Sequence, residues 1–243
     1  MGHRQADAHG EDQVPVVSMD YGFLGREGEI PKGGFGSSAL PILVVHDRRT
    51  KSIWGHPVPF KGVQHPYPAR KVLRDLDYLG YKRVVLKNDQ EPAIRALAES
   101  VGHGWSGEAS LEGAPAGENR SNGRVERAVR GIQGLALTLR GRVEIHADLP
   151  LGARSSITAW LVGYAGALYN LYHKGEDGMT PYHRTKGRPW WIELPSFDGA
   201  AGFMWRTEHK YQARWSPGAL LGVKEETMGR IVGDASGVCV VQS

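Results

Sequence analysis

One cysteine, Cys239, stands in 243 residues. That excludes an internal disulfide framework and any zinc module built on several cysteines, and it is the cysteine usage of a reducing intracellular compartment. Long hydrophobic runs are also missing. Nothing approaches the roughly eighteen apolar residues of a membrane span, and the N-terminal "MGHRQADAHGEDQ" has no apolar core of signal-peptide type. A soluble protein with no membrane partner is expected. Internal repeats and low-complexity tracts are absent. The glycine-rich "GREGEIPKGGFGSS" lacks the Gly-Lys-Ser/Thr ending of a phosphate-cradling loop, so it reads as plain loop. No two of the ten histidines have His-x-x-x-His spacing, which removes a helical zinc site. Charge of one sign is scarcely in excess: thirty Lys and Arg against twenty-six Asp and Glu give +4. A nucleic-acid partner is permitted by that balance and not demanded by it.

What is present is a globular composition, 40% apolar, enough to bury a real core in one or two domains. Met1 to Gln13 are polar and read as a disordered tail. "VPVVSMD", Val14 to Asp20, reads as a buried strand ending in an acid. Ala39–Asp47 and Lys51–Phe60 read as a hairpin around Arg48, Arg49 and Thr50. From Pro68, Val72, Leu73, Leu76 and Leu79 share one helical face that Gly80 terminates. "KRVVLKNDQ" is a second strand ending in an acid, Asp89, and "EPAIRALAESVG" opens a helix with proline in its first turn.

A glycine-rich connection leads to "ENRSNGRVERAVRGIQG". The Asn-Gly pair predicts a helix start capped by Ser121 or Asn122, which puts Glu126 in or just after the first turn. Val125, Ala128, Val129, Ile132, Leu135, Ala136 and Leu139 form one apolar stripe, with Glu126, Arg130 and Gln133 aligned beside it. Gly131 and Gly134 each cost about 1 kcal/mol relative to alanine in a helix interior; close approach of another backbone or of a substrate would account for them. Ser155–His173 is a second, largely apolar helix. Beyond it the chain becomes rich in proline, arginine and short alternating runs, and 190–243 reads as a small β-rich unit.

The fold class expected is therefore α/β, a mixed sheet with flanking helices followed by that β-rich unit. Asp20 ends the first strand, Asp89 ends the strand after the first helix, and Glu126 lies on a later helix. Acids on neighbouring parallel strands fall at one sheet edge, and a helix packed on that sheet could aim Glu126 at the same point. Three converging carboxylates repel unless a cation neutralises them, and an all-oxygen set suits Mg²⁺ or Mn²⁺. The other acids and the histidines read more plainly. Asp47 is placed in the hairpin turn, Asp75 and Asp77 on a helix near arginines, all three solvated. His103 falls in the loop before the Glu126 helix and His46 at a strand end.

The frame "VVSMDY", "VVLKNDQEPAI" and "SNGRVERAV", with thirty-six residues between Asp89 and Glu126, resembles the catalytic core of retroviral and retrotransposon integrases over Val14 to Pro189. "TPYHRTKGRP" and "KYQARWSPGALLGV" are similar to the region that follows the core in Copia-type elements. The resemblance implies an RNase H-like fold over 14–189 and phosphoryl transfer on DNA at two Mg²⁺ or Mn²⁺ ions. Asp20 and Asp89 would share one ion, and Asp20 and Glu126 the other, about 3.5–4 Å away. End processing and strand transfer of element DNA follow, with DNA and a homo-oligomer as partners. Action would be in the nucleus, with the protein otherwise in the cytoplasm in an intracellular particle.

Lys87, Arg130 and Gln133 are the candidate DNA contacts, through phosphates or bases; Arg124 and Arg127 read as solvated. Trp190, Trp191, Trp205 and Trp215 read as core of the β-rich unit or as stacking platforms. Two departures from the family stand out. The second acid is followed by Gln90-Glu91 where related elements carry Asn-Gly, so Glu91 is an alternative ligand to Asp89. The zinc module that precedes the core in the family is missing, so the chain reads as a piece or remnant of an element polyprotein. An RNase H-type nuclease and an inactive DNA-binding remnant are the rival readings.

Overall fold

The computed structural model describes residues 13–25, 39–113, 119–148, 150–194, 200–204, 215–224, 227, 229–234 and 237–241, with backbone alone at 119–122, 200–204 and 215–217. The tail Met1–Asp12, most of the glycine-rich loop, and Trp205 lie outside them.

The alternating run after Gln13 forms β1 (Val16–Leu24), which pairs antiparallel with β2 (Leu40–Asp47), and β2 pairs antiparallel with β3 (Ile53–Pro57). Helix α1 (Tyr67–Leu79) carries the chain back, and Gly80 ends it at φ 69°, the left-handed cap that glycine adopts without strain. β4 (Arg83–Asn88) then adds parallel to β1, α2 (Pro92–Gly104) starts with proline in its first turn, and β5 (Glu108–Gly113) adds parallel to β4. The order is β3-β2-β1-β4-β5. This antiparallel meander extended by two parallel strands, with helices on both faces, is the RNase H-like arrangement.

Alternation along β1 divides the core. Val17, Met19 and Tyr21 face α1 and α2, packing with Leu76, Leu86, Ile94 and Leu97. Leu24 faces the other way, with Ile42 and Val44, onto α3 (Asn119–Ala147) and α4 (Ser156–Tyr172). Each fully buried aliphatic contributes roughly 1.5–3 kcal/mol relative to exposure, so both faces are firmly seated. At β3 the seating is unusually close. A side chain on Gly55 would run into Ile132 and Val162 at 2.8 and 3.0 Å, and one on Gly166 would come within 3.2 Å of the Gly55 nitrogen. Two glycines thus let α4 lie directly on the edge strand, and Asn170 Oδ1 accepts the Ile53 N–H at 2.9 Å. The exposed edge that would otherwise invite pairing is covered.

After the short helix α5 (Pro181–Lys186), a second, antiparallel sheet follows in the order β6 (Ala200–Met204), β7 (Trp215–Lys224), β8 (Gly229–Asp234), β9 (Gly237–Val241). Leu220 packs with Leu161 and Tyr164 of α4, and Val223 with Ala167 and Leu171.

Several sequence expectations are corrected. β1 does not end at Asp20 but continues to Leu24. α3 begins at Asn119, ahead of the Asn-Gly pair, so Glu126 sits past its first turn. The connection before α3 contains β5, a strand whose polar "EASLEG" is mostly exposed and gives no apolar period. Asp47 and Asp75 are buried rather than solvated. The Asp47 carboxylate accepts from Thr50 N, Thr50 Oγ1 and Tyr81 Oη at 2.8, 2.6 and 2.8 Å, locking the hairpin turn, and Asp75 meets His56 Nε2 at 2.6 Å. His103 is in the last turn of α2.

Candidate active site

Parallel pairing of β1 with β4 runs Val16↔Val85, Val17↔Leu86, Ser18↔Lys87. β4 stops one residue later, at Asn88. Continuing the register by two residues sets Asp89 opposite Asp20, so Asp20 occupies the stretch of β1 whose outer neighbour has just left the sheet. Ser18, Asp20 and Gly22 alternate onto the α3 face. There a Cβ on Gly22 would lie 2.6 Å from Val129 Cγ1, and Gln133 Nε2 donates to the Phe23 carbonyl at 2.9 Å. These two contacts advance together along β1 and α3, so the strand and the helix run the same way. Glu126, one turn before Val129, is thereby carried toward Asp20.

The electrostatics agree with that geometry. Asp20 is half-buried, and burial pushes its carboxyl up to about 6. The Tyr21 N–H, 2.7 Å from Oδ1, opposes the shift, while the charges of Asp89, Glu126 and Glu91 add to it. Two carboxylates from a strand-to-helix turn and one from a helix act on a half-buried strand acid.

Asp89 Oδ1 accepts the Glu91 N–H at 3.0 Å, an Asx turn that leads into α2. Glu91 is held by Lys61, whose ammonium reaches its two oxygens at 2.8 and 3.1 Å and lies 5.2 and 5.0 Å from the ring centres of Tyr21 and Phe23. The loop bearing Lys61 is pinned from below, since Gly62 N–H donates to Tyr21 Oη at 2.9 Å with Gly62 at φ 80°. Sequence reasoning missed Lys61. Its only signal was a lysine after a strand, with no indication that it would meet Glu91 thirty residues away.

The other candidates divide. Arg130 is exposed on α3 beside Glu126, which is also exposed. Gln133 spends its amide nitrogen on Phe23. Lys87 is engaged with Glu112 across β4 and β5 at 2.8 Å, its side chain 11% exposed. Arg124, read as solvated, is half-buried, and its charge acts on His46. Trp190 packs edge-on to Tyr182 with ring centres 5.2 Å apart, whereas Trp191 is 74% exposed; the side chain of Trp215 lies outside the described residues. A Cβ at Gly131 or Gly134 would meet nothing within 4 Å, so no neighbouring backbone requires either glycine.

Among the described residues, no three His, Cys, Asp or Glu side chains stand close enough to hold one metal ion together. Asp20 and Asp89 each turn an oxygen to a backbone N–H. The donor set itself, all carboxylate oxygen around a half-buried acid raised chiefly by burial and further by its neighbours' charges, fits a hard divalent cation.

No protein-family model matches the chain, and no curated protein does. Solved structures similar to it include retroviral integrase cores. The BIV integrase catalytic core is 17% identical, with a TM-score of 0.43 over 71% of this chain and 93% of that one. The HTLV-2 integrase catalytic core in complex with magnesium is 13% identical, with a TM-score of 0.46 over 70% and 95%. A chain of the simian T-cell lymphotropic virus intasome in complex with a PP2A regulatory subunit is 12% identical, with a TM-score of 0.49 over 93% and 75%. At these scores the likeness adds no weight to the fold read from the strands.

Proposed function

We propose that this chain is an integrase-type polynucleotidyl transferase acting on the DNA of a retroelement of Copia type. One observation supports the reading: Asp20, on β1 level with the end of β4, feels the charges of both Asp89 and Glu126, acids on separate elements. Asp20 and Asp89 would hold one Mg²⁺ or Mn²⁺, and Asp20 and Glu126 a second. Bound there, such ions activate the attacking oxygen and stabilise the leaving one. The chain's own residues supply the rest. The carboxylates of Asp89, Glu126 and Glu91 add negative charge around Asp20, and the Asp89–Glu91 turn fixes the approach of the second acid. Exposed Arg130 offers a guanidinium to a phosphate on the Glu126 side. Water attack at a phosphodiester trims a DNA end, and attack by the freed 3′-hydroxyl joins that end to a second duplex. Two ends must be held together, so a homo-oligomer on DNA, acting in the nucleus, completes the proposal.

The test is Mn²⁺-dependent nicking and joining on a labelled duplex, wild type against Glu126→Gln. Joined products from the wild type and none from the variant support the reading. A second reading, an RNase H-type nuclease, is favoured by one observation, the charge of a fourth acid, Glu91, felt at Asp20. Cleavage of the RNA strand of a hybrid without joining would select it. DNA binding indifferent to Mg²⁺, with no cleavage under either metal, would instead leave a DNA-binding remnant.

A further inference from the structure

The turn between β4 and α2 carries two carboxylates, Asp89 and Glu91, and the charge of each reaches Asp20. The sequence leaves either as the second metal ligand, but their surroundings separate them. Both oxygens of Glu91 are taken by the Lys61 ammonium, at 2.8 and 3.1 Å. Asp89 Oδ1 accepts the Glu91 N–H at 3.0 Å, and among the described residues no ammonium or guanidinium pairs with that acid. Of the three acids that act on Asp20, Glu91 acts least.

Lys61 is itself held in place. Its side chain is 14% exposed, and its ammonium lies 5.2 and 5.0 Å from the ring centres of Tyr21 and Phe23, within the range at which an aromatic face attracts a cation. The next residue, Gly62, donates its N–H to Tyr21 Oη at 2.9 Å and takes φ 80°, a conformation open to glycine without strain. Tyr21 and Phe23 alternate with Asp20 and Gly22 along β1. Lys61 therefore sits on the α1 and α2 face of the strand, and Asp20 on the α3 face. A Glu91 carboxylate drawn to Lys61 is drawn away from the side that bears Asp20.

We propose that Lys61 is a positioning residue that holds Glu91 out of the metal's ligand set, so that Asp89 is the acid the β4–α2 turn supplies. The inference rests on the metal site proposed above. Mg²⁺ in phosphoryl-transfer sites takes one or two carboxylates and leaves its other positions to water and substrate phosphate. A further carboxylate on the same ion would occupy positions that substrate oxygens need. Moving Glu91 onto the ion would leave the ammonium unpaired between two rings, and that cost opposes the exchange.

The test is Mn²⁺ titrated into the full chain by calorimetry, without DNA. Lys61→Met keeps much of the apolar stem and removes the charge. It should tighten Mn²⁺ binding at least tenfold more in the wild type, where a released Glu91 joins the ligands, than in a chain already carrying Glu91→Gln, where only the lost positive charge counts. Lys61→Arg, which keeps the pair, should bind as the wild type does. The same tightening in both backgrounds would make Lys61 a distant charge and overturn the proposal, as would no tightening in either. Should Lys61→Met fail to fold, Glu91→Gln and Asp89→Asn decide with Lys61 intact. A loss of affinity at Glu91→Gln at least tenfold smaller than at Asp89→Asn supports the proposal, and comparable losses overturn it. Asp20→Asn separates this idea from the one beneath it. No Mn²⁺ binding, or binding that ignores Asp20→Asn, overturns the metal site and this proposal together, whereas binding that needs Asp20 but shows no coupling between Lys61 and Glu91 overturns this proposal alone.

Discussion

Asp75 and Asp20 are both acids taken out of water, and they are treated in opposite ways. Asp75 lies between α1 and β3 with a hydrogen-bonded imidazole at 2.6 Å, and burial pushes its carboxyl up while the His56, Lys71 and Arg74 charges pull it down. Asp47 is similar, with three donors on one oxygen. Asp20 accepts one backbone N–H, and the charges that shift it are three further carboxylates. An acid that serves the fold is satisfied from within the fold, whereas Asp20 has one backbone donor and three like charges; that contrast supports the proposed metal site better than burial alone.

Removing each acid should therefore have opposite signs. Asp75→Ala strands a buried imidazole and should lower unfolding stability by about 3–5 kcal/mol, the usual consequence of breaking a buried pair. Asp20→Asn removes repulsion and the burial of a charge, and should raise stability by on the order of 2 kcal/mol at pH 7. Urea unfolding of both variants checks this. A loss at Asp20 comparable to that at Asp75 would make Asp20 a structural acid and end the contrast.

His46 sharpens the comparison from the basic side. It is a buried ring pushed down to about 4, chiefly by burial, with Lys51, Arg124 and Arg48 adding to the shift and Asp47 opposing it. Between pH 6.5 and about 4 the unfolded chain takes a proton that the folded chain refuses, so stability falls as pH falls through that window and levels below it. The full effect is on the order of 3 kcal/mol. Raised acids such as Asp20 and Asp75 work in the opposite direction as pH falls, so the whole curve mixes both. The difference between wild type and His46→Gln isolates the histidine. If that difference stays flat from pH 7 to 4, the ring is not held neutral.

Much of this was legible in the sequence, for reasons that can be located. Gly80, Pro92 and the α3 stripe are local signals of turn chemistry and of a 3.6-residue period, and each falls where the chain places it. The three acids were singled out because each follows an apolar run or lies beside an apolar stripe. What failed was what depends on partners distant in the chain. β5 has no apolar period because it is an edge strand, recognisable only by its neighbour β4. Asp47 and Asp75 looked solvated because Tyr81 and His56, which bury them, come from other elements. The Lys61–Glu91 pair and the Gly55–Gly166 approach are likewise tertiary. β1 was cut short at Asp20 because an acid interrupts its apolar run.

Divalent metal gives the next and somewhat smaller effect. A ligand that binds only the folded state adds about 2.7 kcal/mol at one hundred times its dissociation constant. Mn²⁺ should stabilise the wild type on that scale and leave Asp20→Asn almost unmoved, as read by thermal unfolding with and without metal. Asp75 plays no part, so a conservative variant there should keep the metal response at reduced baseline stability. Equal stabilisation of wild type and Asp20→Asn would place the metal elsewhere.

The smallest effect tests the one region where fold and function make opposing claims on the same residues. Gly131 and Gly134 weaken α3 by about 1 kcal/mol each relative to alanine, yet a Cβ at either would meet open space. Gly131→Ala should then stabilise the chain by about 1 kcal/mol in urea. If the glycine is there only by chance, DNA binding and joining stay unchanged. If the helix is thin at that point so that a duplex can lie against it beside Arg130, the stabilised variant loses affinity for DNA while gaining stability. Unchanged affinity beside the gain in stability would take that stretch of α3 off the DNA surface and leave Arg130 a solvated charge. The proposed chemistry would survive that result, but the substrate would have to approach the three acids from the β4 side.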